Sequence, residues 1–243
     1  MKIFIGDNYE MMSKQAGADI ISITQSLKNP VLCTASGDTP AGLYKELVNE
    51  VHQNKIDISR WYFVSLDEWV GMNGDDEGSC RFHLNNQLFN PLQVAKDHIS
   101  FFNGREKNLN NECENMENFI RQHEGLDIAV IGLGMNGHVG MNEPGTSPEL
   151  HSHVTDIDSQ TQKIGQKYFK KDQQLSKGIT LGLATLMEAR NIILLVSGRH
   201  KAQIVQKVLK GEISEKIPAT LLRSHPGLKI YLDKEAASLV QAI

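Results

Sequence analysis

The segment LDIAVIGLGMNGHVGMNEPG, residues 126–145, joins an apolar run to a loop rich in glycine and polar side chains. Residues 126–134 predict a fully buried strand that ends in glycine, because the apolar run is short and uninterrupted. The loop, residues 132–145, contains five glycines, one histidine, two asparagines and one glutamate. Loops of this composition let a ligand approach the backbone closely. The segment therefore predicts a buried strand with a binding site at its carboxyl end.

The rest of the chain alternates short β-type apolar runs with amphipathic helical stretches. Further strands are predicted at residues 1–5, 30–36, 61–67, 98–103, 191–198 and 228–233, and helices at 9–28, 40–53, 109–124 and 199–211. Continuous apolar strands joined by helical crossovers indicate a parallel sheet covered on both faces. We find no repeat, low-complexity tract or linker. The prediction is one α/β domain over residues 1–243, a Rossmann-like three-layer fold with a mostly parallel central sheet.

Composition and charge exclude several functional classes. The chain has 243 residues, 40% of them hydrophobic and 22% charged, and a formal net charge of −4. This charge gives no reason to expect binding to nucleic acid or an anionic membrane. No apolar run approaches the roughly 18 residues of a membrane span, and the N-terminus turns acidic too early for a signal peptide. Three widely spaced cysteines are expected to be free thiols. We expect a cytoplasmic protein that binds neither nucleic acid nor membrane.

Polar clusters follow four of the predicted strands at their carboxyl ends, which is where open α/β sheets bind ligands. The clusters are SGDTP after residues 30–36, DEWVG at the end of 61–67, GMNGHVGMNEPG after 126–133 and SGRHK after 191–196. Because parallel strands end at the same edge of a sheet, we expect these four loops to converge. Their convergence is stronger evidence for a site than any one of the motifs.

The first of these clusters predicts an anion site. Free backbone N–H groups and the positive end of the helix dipole suit a phosphate at a strand-to-helix turn. The alternative is an ordinary helix start with Thr39 as its cap and Pro40 in the first turn. Lys201 begins another helix, where a lysine is unfavourable unless an anion is near, although a solvated lysine remains the alternative. The loop residues proposed to hold the anion are Ser36, Gly37, Asp38 and Thr39.

Carboxylates and a histidine in two other clusters suit proton transfer. Asp67 continues its predicted strand toward the cleft and Glu68 faces the other way, so Asp67 is a candidate general base beside a phosphosugar. A cap or turn role is the alternative. His138 titrates near neutral pH and can carry a proton to a sugar ring oxygen, while Glu143 would orient it and raise its pKa. The alternative for His138 is a loop histidine with a purely local role.

The sequence predicts neither a metal nor a dinucleotide. No histidines have HExxH or similar ligand spacing. Gly132, Gly134 and Gly137 formally match GxGxxG, but that fingerprint belongs to an N-terminal βαβ unit with an acidic residue about 20 positions on. We expect the protein to need no cofactor and no metal.

Taken together, these motifs resemble the glucosamine-6-phosphate deaminase and galactosamine-6-phosphate isomerase family, which shares its fold with 6-phosphogluconolactonases. The resemblance runs over nearly the whole chain, in the family's order. It is carried by ASGDTPAGLY (35–44), SLDEWVGM (65–72), GLGMNGHVGMNEPG (132–145), GITLGLATLMEAR (178–190) and LLVSGRHKA (194–202). The NEPG sequence after GH is similar to the amino-sugar branch and unlike the lactonases.

The resemblance implies roles for individual residues. By it, Asp67 moves a proton between C2 and C1 of an open-chain amino-sugar 6-phosphate, and His138, supported by Glu143, opens the pyranose ring. The loop of residues 36–39 would hold the 6-phosphate with Lys201. Lys167 falls roughly where the deaminases carry a phosphate-binding arginine, and a lysine lacks the bidentate fork. A homo-oligomer is compatible with the resemblance, because members of the family range from monomers to hexamers.

One departure bears on the substrate. Asn136 stands where glucosamine-6-phosphate deaminases usually have an aspartate, and this NGH form is similar to the galactosamine-6-phosphate branch. We therefore expect an enzyme that converts galactosamine 6-phosphate to tagatose 6-phosphate and ammonia. The alternatives are a glucosamine-6-phosphate deaminase that yields fructose 6-phosphate, a 6-phosphogluconolactonase, and a sugar-phosphate sensor without turnover.

Overall fold

Seven strands form a central sheet in which every pair of neighbouring strands is parallel. The computed structural model describes residues 1–240. The strands are β1 (Lys2–Gly6), β2 (Val31–Thr34), β3 (Tyr62–Ser65), β5 (Ile99–Ser100), β6 (Ile128–Gly132), β9 (Asn191–Val196) and β10 (Leu228–Asp233). Their order across the sheet is β1-β10-β9-β6-β2-β3-β5. The prediction of a mostly parallel α/β sheet is confirmed.

Helices cover the sheet and make its crossover connections. None of them, within residues 1–240, is long and apolar enough to cross a lipid bilayer. The α-helices are α1 (Tyr9–Thr24), α2 (Asp38–His52), α3 (Cys80–Leu84), α4 (Leu109–Gln122), α5 (Ser159–Gly165), α6 (Leu183–Met187) and α7 (Ala202–Lys210). A π-helical turn (Asn85–Phe89) extends α3, and short 3₁₀ turns span Lys96–His98, Gln166–Tyr168, Arg199–Lys201 and Pro218–Ser224.

The core lies on both faces of the central sheet, as its continuous apolar strands predict. Successive side chains of a strand point to opposite faces, so Ile128 and Val130 pack in one cluster while Ala129 and Ile131 pack in the other. All four side chains are fully buried. The segment LDIAVIG thus forms a strand because both of its faces are covered, which identifies β6 as a central strand of the sheet.

A second, antiparallel sheet is absent from the predictions. It consists of β4 (Asp67–Trp69), β8 (Lys177–Thr180) and β7 (His153–Asp156), in the order β4-β8-β7. The predicted strand over residues 61–67 is therefore wrong at its end: β3 stops at Ser65, and Asp67 opens β4 in the other sheet. The chain leaves the central sheet at Leu66, whose backbone carbonyl accepts the N–H of Leu181 at 2.8 Å.

The strand order places a topological switch point between β2 and β6. From β2 the chain moves outward through β3 to β5, and from β6 it moves the other way through β9 to β10. The loops after β2 and β6 therefore diverge to opposite sides and leave a crevice between them. Ligands of open α/β sheets bind in that crevice, outside the carboxyl ends of the strands.

Candidate active site

A cavity of about 700 Å³ lies at the switch point. All four polar loops singled out in the sequence contribute to its wall, so the expected convergence occurs. From these loops come the side chains of Asp67, His138 and Lys201, and Lys167 joins them from the turn after α5. The residues 36–39 line the same cavity, whereas Asn136 and Glu143 lie behind His138.

The strand-to-helix turn after β2 differs in detail from its predicted start. α2 begins at Asp38, with Gly37 as its N-cap, so Thr39 is not the cap and Pro40 lies within the first turn. Gly37 has φ +105°, a left-handed conformation that favours glycine. No side chain caps this helix end, which leaves backbone N–H groups of the first turn free for an anion. This geometry favours the predicted phosphate site over the alternative of an ordinary, side-chain-capped helix start.

Lys201 supplies a positive charge to the cavity from the far side of the switch point. Its Nζ donates to the backbone carbonyl of Leu133 at 2.5 Å. Burial lowers the pKa of Lys201 to about 8, and the neighbouring charge of Lys167 acts in the same direction. A cation held in this way gains an ion-pair partner when an anion enters the cavity.

Lys167 is already paired in this structure. Its Nζ lies 2.6 Å from Oδ2 of Asp38, in an exposed ion pair, and 4.7 Å from the ring centre of Tyr168. Asp38 therefore offers a phosphate only its backbone N–H, because its carboxylate would repel the anion and is held by Lys167. A phosphate in the turn would compete with Asp38 for this lysine.

Asp67 lies against buried groups at the floor of the cavity. Burial raises the pKa of Asp67 to about 6, while a hydrogen bond from Cys80 and the charge of His138 act in the opposite direction. A pKa near 6 leaves the carboxylate ionised at neutral pH and far more basic than an ordinary aspartate. These are the properties of a general base. Sequence position placed Asp67 at a strand end, and the start of β4 aims it into the cavity.

His138 is oriented by a relay of two side chains. Glu143 Oε2 accepts from Nδ2 of Asn136 at 2.7 Å, and Asn136 Oδ1 lies 2.7 Å from Nδ1 of His138. Glu143 can only accept, so the Asn136 amide oxygen must face the imidazole and Nδ1 must carry the proton. In the neutral form of the ring, Nε2 is therefore the nitrogen without a proton. Burial alone would raise the pKa of Glu143, but hydrogen bonds from His138 and Asn136 lower it.

Gly134 allows the imidazole to lie where it does. A Cβ at this position would come within 2.4 Å of three ring atoms of His138. The glycine also ties the loop together, since its N–H donates to the carbonyl of His138 at 2.9 Å and its carbonyl accepts from Gly137 N at 3.1 Å. In the glycine-rich loop of residues 132–145, the glycine at position 134 thus lets the imidazole lie close to the backbone.

Several cavity residues were not identified from the sequence. Cys80 and His83 reach the cavity from α3, Thr161 from α5 and Tyr168 from the turn that follows α5. They lie on helices outside the motif loops, and neither their spacing nor their flanking residues mark them. Cys80 was predicted only to be a free thiol, which it is. In residues 1–240 no group of three or more histidine, cysteine or acidic side chains is arranged to hold a metal ion.

Comparison with known proteins yields consistent matches. A sequence profile described as glucosamine-6-phosphate isomerases/6-phosphogluconolactonase matches residues 8–230. The glucosamine-6-phosphate deaminase of Oceanobacillus iheyensis is 39% identical over 237 residues, 97% of this chain and 95% of that protein. The glucosamine-6-phosphate deaminase of Thermoanaerobacter pseudethanolicus is 37% identical over 241 residues, 99% of this chain and 95% of that protein.

Solved structures agree with these matches. A monomeric glucosamine-6-phosphate deaminase superposes with a TM-score of 0.95 at 34% identity, covering 98% of this chain and 100% of that one. A 6-phosphogluconolactonase from Trypanosoma brucei superposes with a TM-score of 0.77 at 20% identity, covering 99% and 98%. At that identity the lactonase shares the fold alone.

Proposed function

The chain belongs to the family of glucosamine-6-phosphate isomerases and 6-phosphogluconolactonases, and on that basis we propose that it deaminates glucosamine 6-phosphate. The products would be fructose 6-phosphate and ammonia. Relatives 35–39% identical over almost the full chain carry the name glucosamine-6-phosphate deaminase, which supports the gluco substrate over the galactosamine 6-phosphate expected from the sequence. One observation carries the proposal: Asp67 and His138 face a single cavity whose opposite wall holds an uncapped helix N-terminus and Lys201.

Substrate binding would rest on the 6-phosphate. The turn of residues 36–39 provides backbone N–H donors at the start of α2, and Lys201 provides a charge from the start of the helix after β9. These two anchors lie on opposite sides of the switch point, so one phosphate engages both halves of the sheet. Binding energy at the phosphate holds the sugar carbons against Asp67 and His138.

Ring opening would be the task of His138. Its Nε2 lacks a proton and can take the one on the anomeric hydroxyl of the pyranose. The resulting imidazolium then returns a proton to the ring oxygen as the C1–O5 bond breaks, which yields the open-chain aldehyde. Asn136 keeps Nδ1 protonated and fixes the ring throughout. The charge of Glu143, transmitted through Asn136, favours the transient cation.

Proton transfer would be the task of Asp67. Its carboxylate removes the C2 proton of the open-chain aldehyde and returns that proton to C1. The C1 oxygen becomes a hydroxyl by taking up a proton while the amine gives one up, so the carbon–nitrogen bond at C2 becomes an imine, and water hydrolyses the imine to the ketone and ammonia. A base with a pKa near 6 is matched to neutral conditions. Asp67→Asn should therefore lower kcat by about 10²–10⁴-fold with KM largely kept.

Steady-state kinetics on glucosamine 6-phosphate and galactosamine 6-phosphate test this proposal. Ketose and ammonium are followed together for each sugar. Equimolar release of both products with a higher kcat/KM for the gluco sugar is the expected result. Binding of both sugars without product would contradict the proposal and support the sensor alternative.

Galactosamine 6-phosphate stays a second candidate because of Asn136. A neutral amide stands between Glu143 and His138, and this is the feature that resembles the galactosamine branch. A kcat/KM at least tenfold higher for the galacto sugar would favour it. The lactonase alternative needs the histidine but no base at C2, so hydrolysis of 6-phosphogluconolactone that survives in Asp67→Asn would favour that activity.

A further inference from the structure

Tyr9 brings its hydroxyl into the first turn of α2, the helix that begins at the turn of residues 36–39. The hydroxyl accepts from the backbone N–H of Gly42 at 2.6 Å, and it lies 2.8 Å from the carbonyl oxygen of Asp38 and 3.1 Å from that of Thr39, to which it donates. The Gly42 N–H and the Asp38 carbonyl are groups that an undisturbed α-helix pairs with each other. Tyr9 also lines the cavity. A side chain from α1 is thus bonded to the backbone of α2 beside the proposed phosphate site.

The packing of α1 on α2 holds Tyr9 in this place. Tyr9 opens α1 directly after Asn8, whose side chain caps the helix by accepting from the N–H of Met11 at 2.9 Å. Gly42 lets the ring come close, because a Cβ at that position would lie 2.8 Å from Cζ and from the hydroxyl oxygen of Tyr9. Burial raises the pKa of Tyr9, so the hydroxyl keeps its proton and remains a donor at neutral pH.

The hydrogen bond to Asp38 controls the direction of the next amide. The carbonyl of Asp38 and the N–H of Thr39 belong to one planar trans peptide group, so they point in opposite directions. Fixing the carbonyl against Tyr9 therefore fixes the N–H of Thr39, which has no partner within the helix because it lies in the first turn. A hydrogen bond to the carbonyl also polarises the peptide group and strengthens its N–H as a donor. Since Pro40 has no N–H, Thr39 supplies the last free amide of this turn.

We propose that Tyr9 is a positioning residue for the substrate phosphate, because its hydroxyl aims the backbone N–H of Thr39 at the anion. Tyr9 acts through the peptide group and need not touch the phosphate. The inference rests on the proposed function for the identity of the phosphate ester, whereas binding of inorganic phosphate tests it without turnover. The amide holds the phosphate equally in the ground state and in the transition state, so a loss of alignment changes KM and leaves kcat nearly unchanged.

Tyr9→Phe tests the role of the hydroxyl because it keeps the aromatic ring. One hydrogen bond changes an equilibrium constant by about threefold to tenfold. The KM for glucosamine 6-phosphate should therefore rise by about threefold to tenfold, while kcat stays within about twofold of the wild type. Tyr62→Phe is the matched control, because Tyr62 lies on β3 and does not line the cavity. This control should behave as the wild type in both constants.

Inorganic phosphate gives a second measurement that does not depend on turnover. Nitrogen-15 NMR follows the backbone amides as phosphate is added, and the Thr39 amide should shift strongly in the wild type. In Tyr9→Phe the dissociation constant for phosphate should rise about threefold to tenfold, and the shift of the Thr39 amide should shrink.

Gly42→Ala tests the same contact from the other side. Its methyl group would lie too close to the Tyr9 hydroxyl, so the ring must move away and phosphate binding should weaken about as much as in Tyr9→Phe. Added to Tyr9→Phe, Gly42→Ala should weaken phosphate binding by less than about a further twofold, because the hydroxyl is already gone and the two effects are not additive.

The measurements distinguish the possible failures. If the wild type turns over neither sugar while Tyr9→Phe still weakens the binding of inorganic phosphate, the proposed function is wrong and the positioning role stands. If the wild type is active and Tyr9→Phe matches it in KM and in phosphate binding, or loses kcat alone, the positioning role is wrong. Equal losses of phosphate binding in Tyr9→Phe and Tyr62→Phe would also overturn it. Thermal melts of every variant identify a loss that comes from unfolding, and if Tyr9→Phe fails to fold, Gly42→Ala decides in its place.

Discussion

At the scale of single residues, environment decides which ionisable groups can do chemistry. Asp67 and Lys201 are both shifted toward neutrality by burial, the carboxyl upward to about 6 and the amine downward to about 8. Their neighbours in sequence give no hint of this, because a pKa follows from desolvation and nearby charges in space. In the proposed reaction Asp67 would act as the base in its charged form, and Lys201 would bind the phosphate as a cation.

These two shifts predict a bell-shaped pH dependence for kcat/KM. Asp67 must be ionised, so activity falls as pH drops through about 6. Lys201 must be protonated to bind phosphate, so kcat/KM falls as pH rises through about 8, mainly through KM. The profile is measured at constant ionic strength. The pH profile of kcat, measured at saturating substrate, should keep the acidic limb, because kcat reports the ionisation of groups such as Asp67 in the enzyme–substrate complex.

Lys201→Arg is the matched control for the basic limb. An arginine keeps its charge to pH values above about 12, so the decline near pH 8 should disappear while the acidic limb stays. A basic limb that persists unchanged in Lys201→Arg would assign that limb to another group. Lys201→Ala should raise KM at every pH with a much smaller change in kcat.

Asn136 links the imidazole of His138 to the carboxylate of Glu143. Its amide joins two groups that otherwise lie 3.6 Å apart, His138 Nδ1 and Glu143 Oε2. Asn136→Ala should lower kcat by about 10²-fold, because the ring loses its orientation and a general acid–base step loses its catalyst. Asn136→Asp keeps an acceptor for Nδ1 and should retain kcat within about tenfold.

The aspartate variant also makes a pH prediction. A second carboxylate beside the imidazole favours its protonated form, and the protonated ring cannot accept the anomeric proton. The fall of kcat at acidic pH should therefore begin at higher pH in Asn136→Asp than in the wild type, because protonation of the imidazole then adds to that of Asp67. If Asn136→Ala has the same kcat and the same acidic limb as the wild type, the hydrogen bonds through Asn136 have no role in the reaction.

At the scale of elements, the glycine-rich loop after β6 has one position that is decisive for the imidazole. Gly134→Ala would place a methyl group within 2.4 Å of ring atoms of His138. The ring must turn away, so kcat should fall about as far as in His138→Ala, while phosphate binding at the opposite wall is preserved. Kinetics and inorganic phosphate inhibition measure the two effects.

Gly132→Ala provides the control for that loop. Its Cβ would meet no atom within 4 Å, and it lies at the end of β6, two residues before Gly134. This variant should keep activity within a few-fold. If both alanine variants lose activity equally, the loss reflects the backbone of the loop and not the contact with His138.

The same element shows which features can be predicted from sequence. The apolar run 126–132 allowed β6 to be predicted, because a short uninterrupted apolar run bounded by glycine and polar residues is typical of a buried strand. The same pattern predicted the polar loops at the carboxyl ends of the strands, and those loops contain Asp67 and His138. The second sheet could not be found in this way, because β4 has three residues and pairs with a strand more than 100 residues later. Cys80 and Thr161 reach the cavity through that distant packing.

At the scale of the whole molecule, a ligand at the switch point ties the two halves of the sheet together. The turn of residues 36–39 belongs to the β2 half and Lys201 to the β9 half, while Asp67 comes from the second sheet. A ligand that contacts all three must bind the folded chain far better than the unfolded one. Its binding free energy therefore adds to the stability of the whole domain.

This linkage predicts a thermal shift that depends on the phosphate. In Asp67→Asn, which should bind glucosamine 6-phosphate without consuming it, a ligand concentration 100 times Kd adds about 2.7 kcal/mol to the free energy of unfolding. For a chain of this size that corresponds to an increase in Tm of about 5–10 °C. Glucosamine without phosphate should give almost no shift at the same concentration. Adding Lys201→Ala to Asp67→Asn should reduce the shift sharply, and an undiminished shift in this double variant would mean that the anion binds elsewhere.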